Sequence, residues 1–424
     1  MRSWDEQSQA AEALRKSGKY EEAEGMFRNL WQEHPTASAG AGWMHCLRKL
    51  GRSREAVAIG SDVVDKFPES EWVRREYVWS IYSGEVKPAK ERGDLGRVVR
   101  FAQEMLQFAS DSLATGKAVF AVIDAAKSAT RWDIVSSWCD RLDRKQLATE
   151  PNMIEGRKGI SEAERWYFAK VKALVELKQW AEARVFAKEA TANFPHKVDF
   201  YRWAAQARAR QGDLSGGVEE LEEIIHRGRV QWYILSELAE LQHELGQNDH
   251  ALGNACKAAL APGEDRHKVR LYELLTRIHL QVGKLESAGR HVELAKAVRQ
   301  REGWGINNDL AQLERQVNEK MANAELAETP LSLSQLFKLC RRDWEEGAIA
   351  GQARHVGHVS RLIDGKDFAF IAPEMGGDSV YVKLRDLPRA AQKANARVEY
   401  SLVNAYDKKK ERDTVRATDV RLLE

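Results

Sequence analysis

The feature that most constrains the fold of this 424-residue chain is a turn that recurs about every 34 residues. The steps from residue 18 to 51, from 178 to 212 and from 212 to 246 are 33, 34 and 34 residues. An alanine or glycine follows five positions later in the pairs Gly18/Ala23, Gly51/Ala56, Lys178/Ala183, Gly212/Gly217, Gly246/Ala251 and Gly283/Ala288. A unit of this length predicts two antiparallel helices, in which the small residue allows close approach. Three turns are followed after 17 positions by a proline, which is expected to end the second helix, at Pro35, Pro68 and Pro195.

This pattern resembles the tetratricopeptide repeat. Two weaker units turn at Gly93 and Thr130, which gives eight units over residues 1–300. The resemblance implies an α-solenoid of helical hairpins. The spacing between turns widens to 42 residues from Gly51 to Gly93 and to 48 from Thr130 to Lys178. We expect the additional residues to form loops at 84–92 and 145–160.

Residues 301–350 are predicted to connect the repeats to a second module. A charged segment at 307–327 is typical of a helix that caps the exposed end of a repeat array. A second amphipathic helix is predicted over 334–346. Its apolar stripe, which favours packing against the rest of the protein over docking of a partner, is Leu336, Phe337, Leu339, Cys340 and Trp344.

Two short segments near the C-terminus alternate aromatic or charged side chains with small or apolar ones. They are Lys366–Ile371 and Val380–Lys383. The strand period of two predicts that Lys366, Phe368 and Phe370 share a face, as Tyr381 and Lys383 do on the second strand. Exposed rings beside cations suit single-stranded nucleic acid, because rings stack on bases and ammonium groups contact phosphates. The alternative is that both phenylalanines face a barrel core, which is common for aromatic residues in strands.

Residues 351–424 resemble a cold-shock domain. The two segments stand where that family has its ribonucleoprotein motifs, Gly357–Val359 matches its opening Gly-x-Val, and the segments 397–400 and 416–422 match its last two strands. The resemblance implies a small five-stranded OB-type β-barrel that binds single-stranded RNA or DNA. The sequence departs from the family where Arg361-Leu362 replaces Trp-Phe, Asp367 and Ala369 replace two glycines, and Lys383 replaces histidine.

The predicted nucleic-acid-binding residues are Lys366, Phe368, Phe370, Tyr381, Lys383, Arg361 and Arg385. The run Lys408-Lys409-Lys410, just before the last strand, is the densest positive charge of this module. Residues 351–424 nevertheless contain 14 Lys and Arg against 11 Asp and Glu, a net charge of +3. We therefore expect binding to be modest and salt-sensitive.

The first helix of each repeat is expected to line a concave groove that holds a protein partner. Its predicted basic residues are Arg165, Lys172, Arg202, Arg210, Arg270 and Arg277. The same face carries the acidic residues Glu176, Asp199, Glu240, Glu244 and Glu273. A surface of mixed charge suits a protein or peptide better than a phosphate backbone. The alternative is that these charges only solvate the inner helices.

Composition excludes several classes of function. The chain has 66 basic and 64 acidic residues, a net charge of +2, so it has no protein-wide nucleic-acid footprint. Nucleotide-binding loops and metalloprotease motifs are absent, and no cofactor is predicted. His355 and His358 would give a metal only two ligands, and the cysteines, at positions 46, 139, 256 and 340, occur singly, so no metal site is predicted. Single cysteines, and the lack of a signal-like or membrane-spanning segment, predict a cytoplasmic location.

Together these observations predict a non-enzymatic adaptor. Its repeats would bind a protein partner and its cold-shock-like barrel would bind single-stranded RNA or DNA. By analogy, a bacterial regulatory or phage-defence system is the expected setting. The alternative is a protein-interaction scaffold whose barrel has lost nucleic-acid binding, which Asp367, Ala369 and Leu362 favour.

Overall fold

The computed structural model describes residues 4–151, 153–154, 157–228, 230–325, 331–351, 353–363, 365–407 and 412–423. By compactness the chain divides into two units, Met1–Phe186 and Ala187–Glu424. The division falls within one helix, α11 (Trp180–Asn193). Within the described residues, the helices are too short or too polar to cross a membrane.

The first unit is helical apart from one small hairpin. Its helices are α1 (Trp4–Lys16), α2 (Tyr20–Glu33), α3 (Ala37–Lys49), α4 (Ser53–Lys66), α5 (Glu71–Ile81), α6 (Lys87–Glu91), α7 (Leu95–Phe108), α8 (Ser112–Ser128), α9 (Trp132–Cys139) and α10 (Glu162–Glu176). A π-helical segment, Tyr82–Val86, joins α5 to α6. The hairpin pairs β1 (Met153–Ile154) with β2 (Arg157–Lys158).

The second unit continues the helix pairs and ends in a β-barrel. Its helices are α12 (Val198–Arg210), α13 (Leu214–His226), α14 (Trp232–Glu244), α15 (Asn248–Leu260), α16 (Val269–Gln281), α17 (Leu285–Arg301), α18 (Asn308–Asn323) and α19 (Leu333–Gly347). The strands are β3 (Arg354–Leu362), β4 (Phe368–Pro373), β5 (Val380–Lys383), β6 (Arg397–Asp407) and β7 (Arg412–Leu422).

The eight turns predicted from the sequence all join the two helices of a pair. Each turn residue has a left-handed backbone, with φ between 53° at Thr130 and 104° at Gly212. At Gly18, the backbone N–H of the turn residue donates to Arg15 O, and the N–H of the next residue donates to Leu14 O. Two such bonds satisfy the carbonyl groups left unpaired at a helix end. The recurrent glycine is therefore explained by backbone geometry, because an L-residue rarely adopts this φ.

The small residues after the turns lie where the helices of a pair pack together. Ala23, Ala56, Ala183, Ala251 and Ala288 are completely buried. At Gly217, an added Cβ would lie only 2.6 Å from the Cβ of Ala209 on the preceding helix. The three prolines come two residues after the ends of α2, α4 and α11. Both parts of the repeat pattern are thus confirmed.

The loop predicted at 84–92 is wrong, because this segment is helical. The π-helical turns carry α5 directly into α6, which ends at Glu91, just before the turn at Gly93. Gly84 permits this path, since a Cβ there would lie 2.9 Å from the backbone carbon of Ser53. In the segment 145–160, the described residues form a loop that contains the β1–β2 hairpin.

Each connecting segment contains a helix. α18 ends at Asn323, within the predicted segment 307–327, whose residues 326 and 327 lie outside the described residues, and α19 covers the predicted 334–346. α18 begins at Asn308, where the side chain of Asn307 accepts a hydrogen bond from the N–H of Leu310. α19 lies against α15 and α17, the second helices of the last two repeats, and buries Leu336, Cys340 and Trp344 against them.

The last five strands form a closed barrel in the order β3-β4-β5-β7-β6. All neighbouring pairs are antiparallel except β5 and β7, which are parallel. The barrel has its own apolar core, which includes Val359, Ile371, Val382, Val398 and Ala417. A mainly helical repeat protein with a C-terminal five-stranded barrel is therefore confirmed. The boundaries 1–300, 301–350 and 351–424 stay a prediction.

Candidate functional site

The aromatic residues of β4 and β5 point away from the barrel core. Ala369 and Ile371 on β4, and Val382 on β5, are completely buried inside the barrel. Phe368, Phe370 and Tyr381 alternate with them and are half-buried on the outer face. The alternation read from the sequence therefore describes both strands correctly, and the arrangement with both phenylalanines in the core is excluded.

The three rings form one cluster, which we call the aromatic face. Their centroids are 5.3 Å apart for Phe368 and Tyr381, 5.8 Å for Phe368 and Phe370, and 6.2 Å for Phe370 and Tyr381. Lys383 is paired across the strands with Phe368, and Lys366 lies exposed two residues before that ring. Phe370 packs edge-to-face on the other two rings, and Phe368 and Tyr381 are tilted against each other, so the rings are held in place while part of each surface stays open.

The aromatic face belongs to a row that crosses four strands. Arg361 of β3 pairs with Phe370 of β4, Phe370 with Tyr381 of β5, and Tyr381 with Arg416 of β7. Two arginines thus flank two rings in register. The sequence analysis did not select Arg416. The burial of Ala417 places Arg416 on the outer face, but its position beside Tyr381 depends on the parallel pairing of β5 with β7.

Carboxylates offset part of this positive charge. Arg416 Nη1 donates to Asp386 Oδ2 at 2.7 Å, and Arg385 Nε lies 3.6 Å from Asp386 Oδ1. Burial, and then the negative charge of Asp367, raises the pKa of Tyr381, so its hydroxyl stays protonated at neutral pH. The predicted cation Arg361 is exposed, and Arg385 is exposed beside its contact with Asp386. The Lys408–Lys410 run lies outside the described residues.

The departures from the cold-shock motifs have structural counterparts. Ala369 is buried in the core, so its small side chain fits the barrel interior. Asp367 is exposed at the start of β4, and its carbonyl accepts a hydrogen bond from the N–H of Leu384.

The two histidines of the opening strand lie apart from each other's contacts. His355 stacks on Tyr400 at 5.7 Å, whereas His358 lies 3.6 Å from Glu374. The two histidines therefore have different neighbours.

The predicted groove cations are mostly engaged by acidic neighbours. In the first unit, Arg165 donates to Asp124 at 2.7 Å and Lys172 to Glu176 at 2.6 Å. In the second unit, Arg277 lies 3.9 Å from Glu273.

Two further groove arginines, Arg202 and Arg210, link first helices of successive repeats. Arg202 donates to Glu237 at 2.5 Å, and Arg210 donates to Glu244 at 2.7 Å, so α12 is joined to α14 twice. Arg270 is exposed at the start of α16. Arg165, Arg202 and Arg210 thus form ion pairs between neighbouring repeats, whereas Lys172 and Arg277 pair with carboxylates of their own helices.

A family model described as "Tetratricopeptide repeat" matches residues 8–37, which contain most of α1 and all of α2. The match and the eight helix pairs support repeats of the tetratricopeptide type. No curated protein matches the chain.

The chain is similar to several solved repeat structures at low sequence identity. One is a tetratricopeptide repeat protein from Parabacteroides merdae, at 10% identity, with 65% of this chain and 98% of that chain covered and a TM-score of 0.31. Another is the human IFIT1 dimer with PPP-AAAA, at 13% identity, with 80% of each chain covered and a TM-score of 0.38. A third is the TPR2AB-domain:pHSP90 complex of yeast Sti1, at 13% identity, with 74% and 98% covered and a TM-score of 0.27.

Proposed function

We propose that this protein is a non-enzymatic adaptor whose barrel binds single-stranded RNA or DNA and whose repeat helices bind a protein partner. The observation that carries the first half is the aromatic face, with Arg361 and Arg416 in register at its two sides. Bases stack on partly exposed rings regardless of sequence, and cations beside the rings contact the phosphates. The face lies on the second and third strands of the barrel, where OB-type barrels bind oligonucleotides.

The proposal that the protein binds a protein partner rests on the repeats. Stacked helix pairs present a long surface along their first helices, which suits a peptide or a protein segment. Because Arg202 and Arg210 are already paired with carboxylates, a partner gains little from a simple acidic stretch. We therefore expect a partner with both charges and apolar residues. We place the adaptor in the cytoplasm of a bacterium, in a regulatory or phage-defence system, by analogy with its architecture.

Fluorescence anisotropy with labelled single-stranded RNA and DNA oligomers tests the barrel directly. We compare the wild type with a Phe368→Ala/Phe370→Ala double variant at low and moderate salt. Loss of two stacking rings is expected to weaken binding by about 2–6 kcal/mol, since each stacked base contributes about 1–3 kcal/mol. At the lower limit this is about a 30-fold increase in Kd.

A Phe368→Leu/Phe370→Leu variant serves as the matched control for folding. It keeps apolar bulk on the outer face but removes the flat rings, so it is expected to lose binding while melting close to the wild type. If the wild type binds neither RNA nor DNA at low salt, the barrel is not a nucleic-acid reader. The protein is then the pure interaction scaffold, which the acidic residues Asp367 and Asp386 beside the aromatic face would favour.

A further inference from the structure

Several side chains of the types that bind metals lie close together between three helices of the second unit, far from the aromatic face in sequence. His291 on α17 lies with Cys340 and Asp343 on α19, and their donor atoms are all within 4.8 Å of one another. His291 and Cys340 are completely buried, and the carboxylate of Asp343 is about one-tenth exposed. Imidazole, thiolate and carboxylate together are the ligands that tetrahedral zinc sites use.

A second histidine lies beside this group, and its ring nitrogens are not among the donor atoms that lie within 4.8 Å of one another. The ring of His279, on α16, is 4.9 Å from the ring of His291, and only 1% of the residue is exposed. Neither Nδ1 nor Nε2 of His279 has a hydrogen-bond partner among the residues that the structure describes. A buried polar group without a hydrogen-bond partner lowers the stability of the fold by about 1–3 kcal/mol. A ligand that pairs with the neutral imidazole of His279 would therefore stabilise the fold. A metal ion is such a ligand, because a neutral histidine binds it through a ring nitrogen lone pair.

The contacts around the group show what binding would displace. The indole Nε1–H of Trp344 donates to His291 Nε2 at 2.7 Å, and His291 Nδ1 lies 2.7 Å from the carbonyl oxygen of Ser287. An ion that uses His291 Nε2 must therefore replace the indole hydrogen bond. The Ser287 carbonyl would continue to orient the ring from the other nitrogen, as outer partners of metal-binding histidines do.

Asp343 also has partners. Arg290 donates to both of its oxygens, at 2.8 Å and 3.0 Å, and Ser287 Oγ donates to Oδ1 at 3.2 Å. A carboxylate can accept about four hydrogen bonds, so one lone pair stays available for an ion. The positive charge of Arg290 opposes a cation, and the thiolate of Cys340 offsets it when the S–H proton leaves on binding.

We propose that His291, Cys340 and Asp343, joined by His279 once its ring has moved toward them, form a site for one divalent ion of the zinc class, which fixes α19 on the last repeats. The sequence gives no sign of it, because its ligands are spread over residues 279 to 343 and lack a Cys-x-x-Cys spacing. The chemistry is ligand exchange: the hydrated ion gives up water ligands and gains two imidazole nitrogens, one thiolate sulfur and one carboxylate oxygen. The Cys340 proton passes to solvent, and the Trp344 indole N–H gives up its hydrogen bond to His291 Nε2.

Cobalt titration of the full-length protein tests the site. After dialysis against chelator, Co²⁺ is added and followed by its thiolate charge-transfer and tetrahedral visible absorption. The wild type is expected to show both signals, with one ion per chain and displacement by zinc. Cys340→Ser is expected to abolish the charge-transfer signal, and His279→Leu to raise the Kd for Co²⁺ at least about 10–100-fold. Trp344→Phe removes the competing N–H and is expected to lower that Kd.

Two controls separate ligand loss from a damaged fold. Cys139→Ser changes a completely buried cysteine of the first unit, outside the group, and it is expected to keep both cobalt signals. His279→Leu removes an unpaired polar group, so without metal it is expected to melt at or above the wild-type temperature. The proposal is overturned if the wild type shows no thiolate-to-cobalt signal, if that signal survives Cys340→Ser, or if His279→Leu binds Co²⁺ as tightly as the wild type.

Discussion

Arg416 and Asp386 determine how much positive charge the aromatic face offers to a ligand. Arg416 is held by Asp386 at 2.7 Å, and both side chains are about one-quarter exposed. An ion pair of this kind contributes about 0.2–1 kcal/mol. A phosphate that approaches Arg416 must therefore compete with a carboxylate that is already in place.

Removal of this competition is expected to strengthen binding. Asp386→Asn keeps the shape and an oxygen acceptor but removes the negative charge, so single-stranded nucleic acid should bind about 2–5-fold more tightly at low salt. The measurement is anisotropy with the same oligomers. Glu374→Gln is the matched control, because it breaks the 2.7 Å pair with Arg397, which is not in the row of the aromatic face. An equal gain in affinity in both variants would mean that only the overall charge of the barrel matters, and it would contradict a specific role for Arg416.

At the scale of elements, the turns between paired helices are the most predictable part of the chain. Six of the eight turn residues are glycine, because glycine adopts a left-handed backbone without steric cost, so glycine spacing indicates where most pairs turn. Thr130 and Lys178 adopt the same conformation without glycine, with φ of 53° and 57°. The sequence predicts the turn at Lys178 from Ala183 five positions later and from the 34-residue step to Gly212. It predicts the turn at Thr130 as one of two weaker units.

Thr130 is the turn residue with the greatest strain, because a β-branched side chain is disfavoured at positive φ. Thr130→Gly is expected to raise the free energy of unfolding by about 0.5–1 kcal/mol. Urea unfolding followed by circular dichroism measures the change. Ser128→Gly, two residues earlier in the last turn of α8, is the control and is expected to destabilise the protein, since its backbone is helical. A Thr130→Gly variant no more stable than the wild type would show that its neighbours relieve the strain.

Other elements could not be read from the sequence, for physical reasons. The segment 84–92 lacks repeat spacing, and its π-helical turns depend on close packing of Gly84 against the backbone of Ser53. Alternation along β4 and β5 predicted which side chains face outward, since a strand has a fixed period of two. It could not predict Arg416 beside Tyr381, because parallel pairing of β5 with β7 joins residues far apart in the chain. The group around His291 was not predicted either, because its residues are also far apart in the chain.

At the scale of the whole molecule, the balance of charge limits where nucleic acid can bind. The net charge of +2 is spread over 424 residues, and the groove arginines Arg202 and Arg210 are paired with carboxylates. The cations near the aromatic face are few: Arg361, Lys366, Lys383, Arg385 and Arg416. If the barrel alone reads nucleic acid, these cations and the Lys408–Lys410 run are the main source of its salt dependence.

The salt dependence of binding therefore distinguishes a barrel that acts alone from repeats that also contact phosphates. In a variant with Lys408, Lys409 and Lys410 replaced by serine, five cations remain among the described side chains on or beside the aromatic face. Since each neutralised phosphate of a single strand contributes about −0.7 to the slope of log K against log salt, the slope should be no steeper than about −3.5. Adding Arg202→Gln and Arg210→Gln to this variant should leave the slope unchanged, because both arginines serve ion pairs between repeats. A steeper slope that the two added substitutions reduce would place phosphates on the repeat helices, and the groove would then be a nucleic-acid surface.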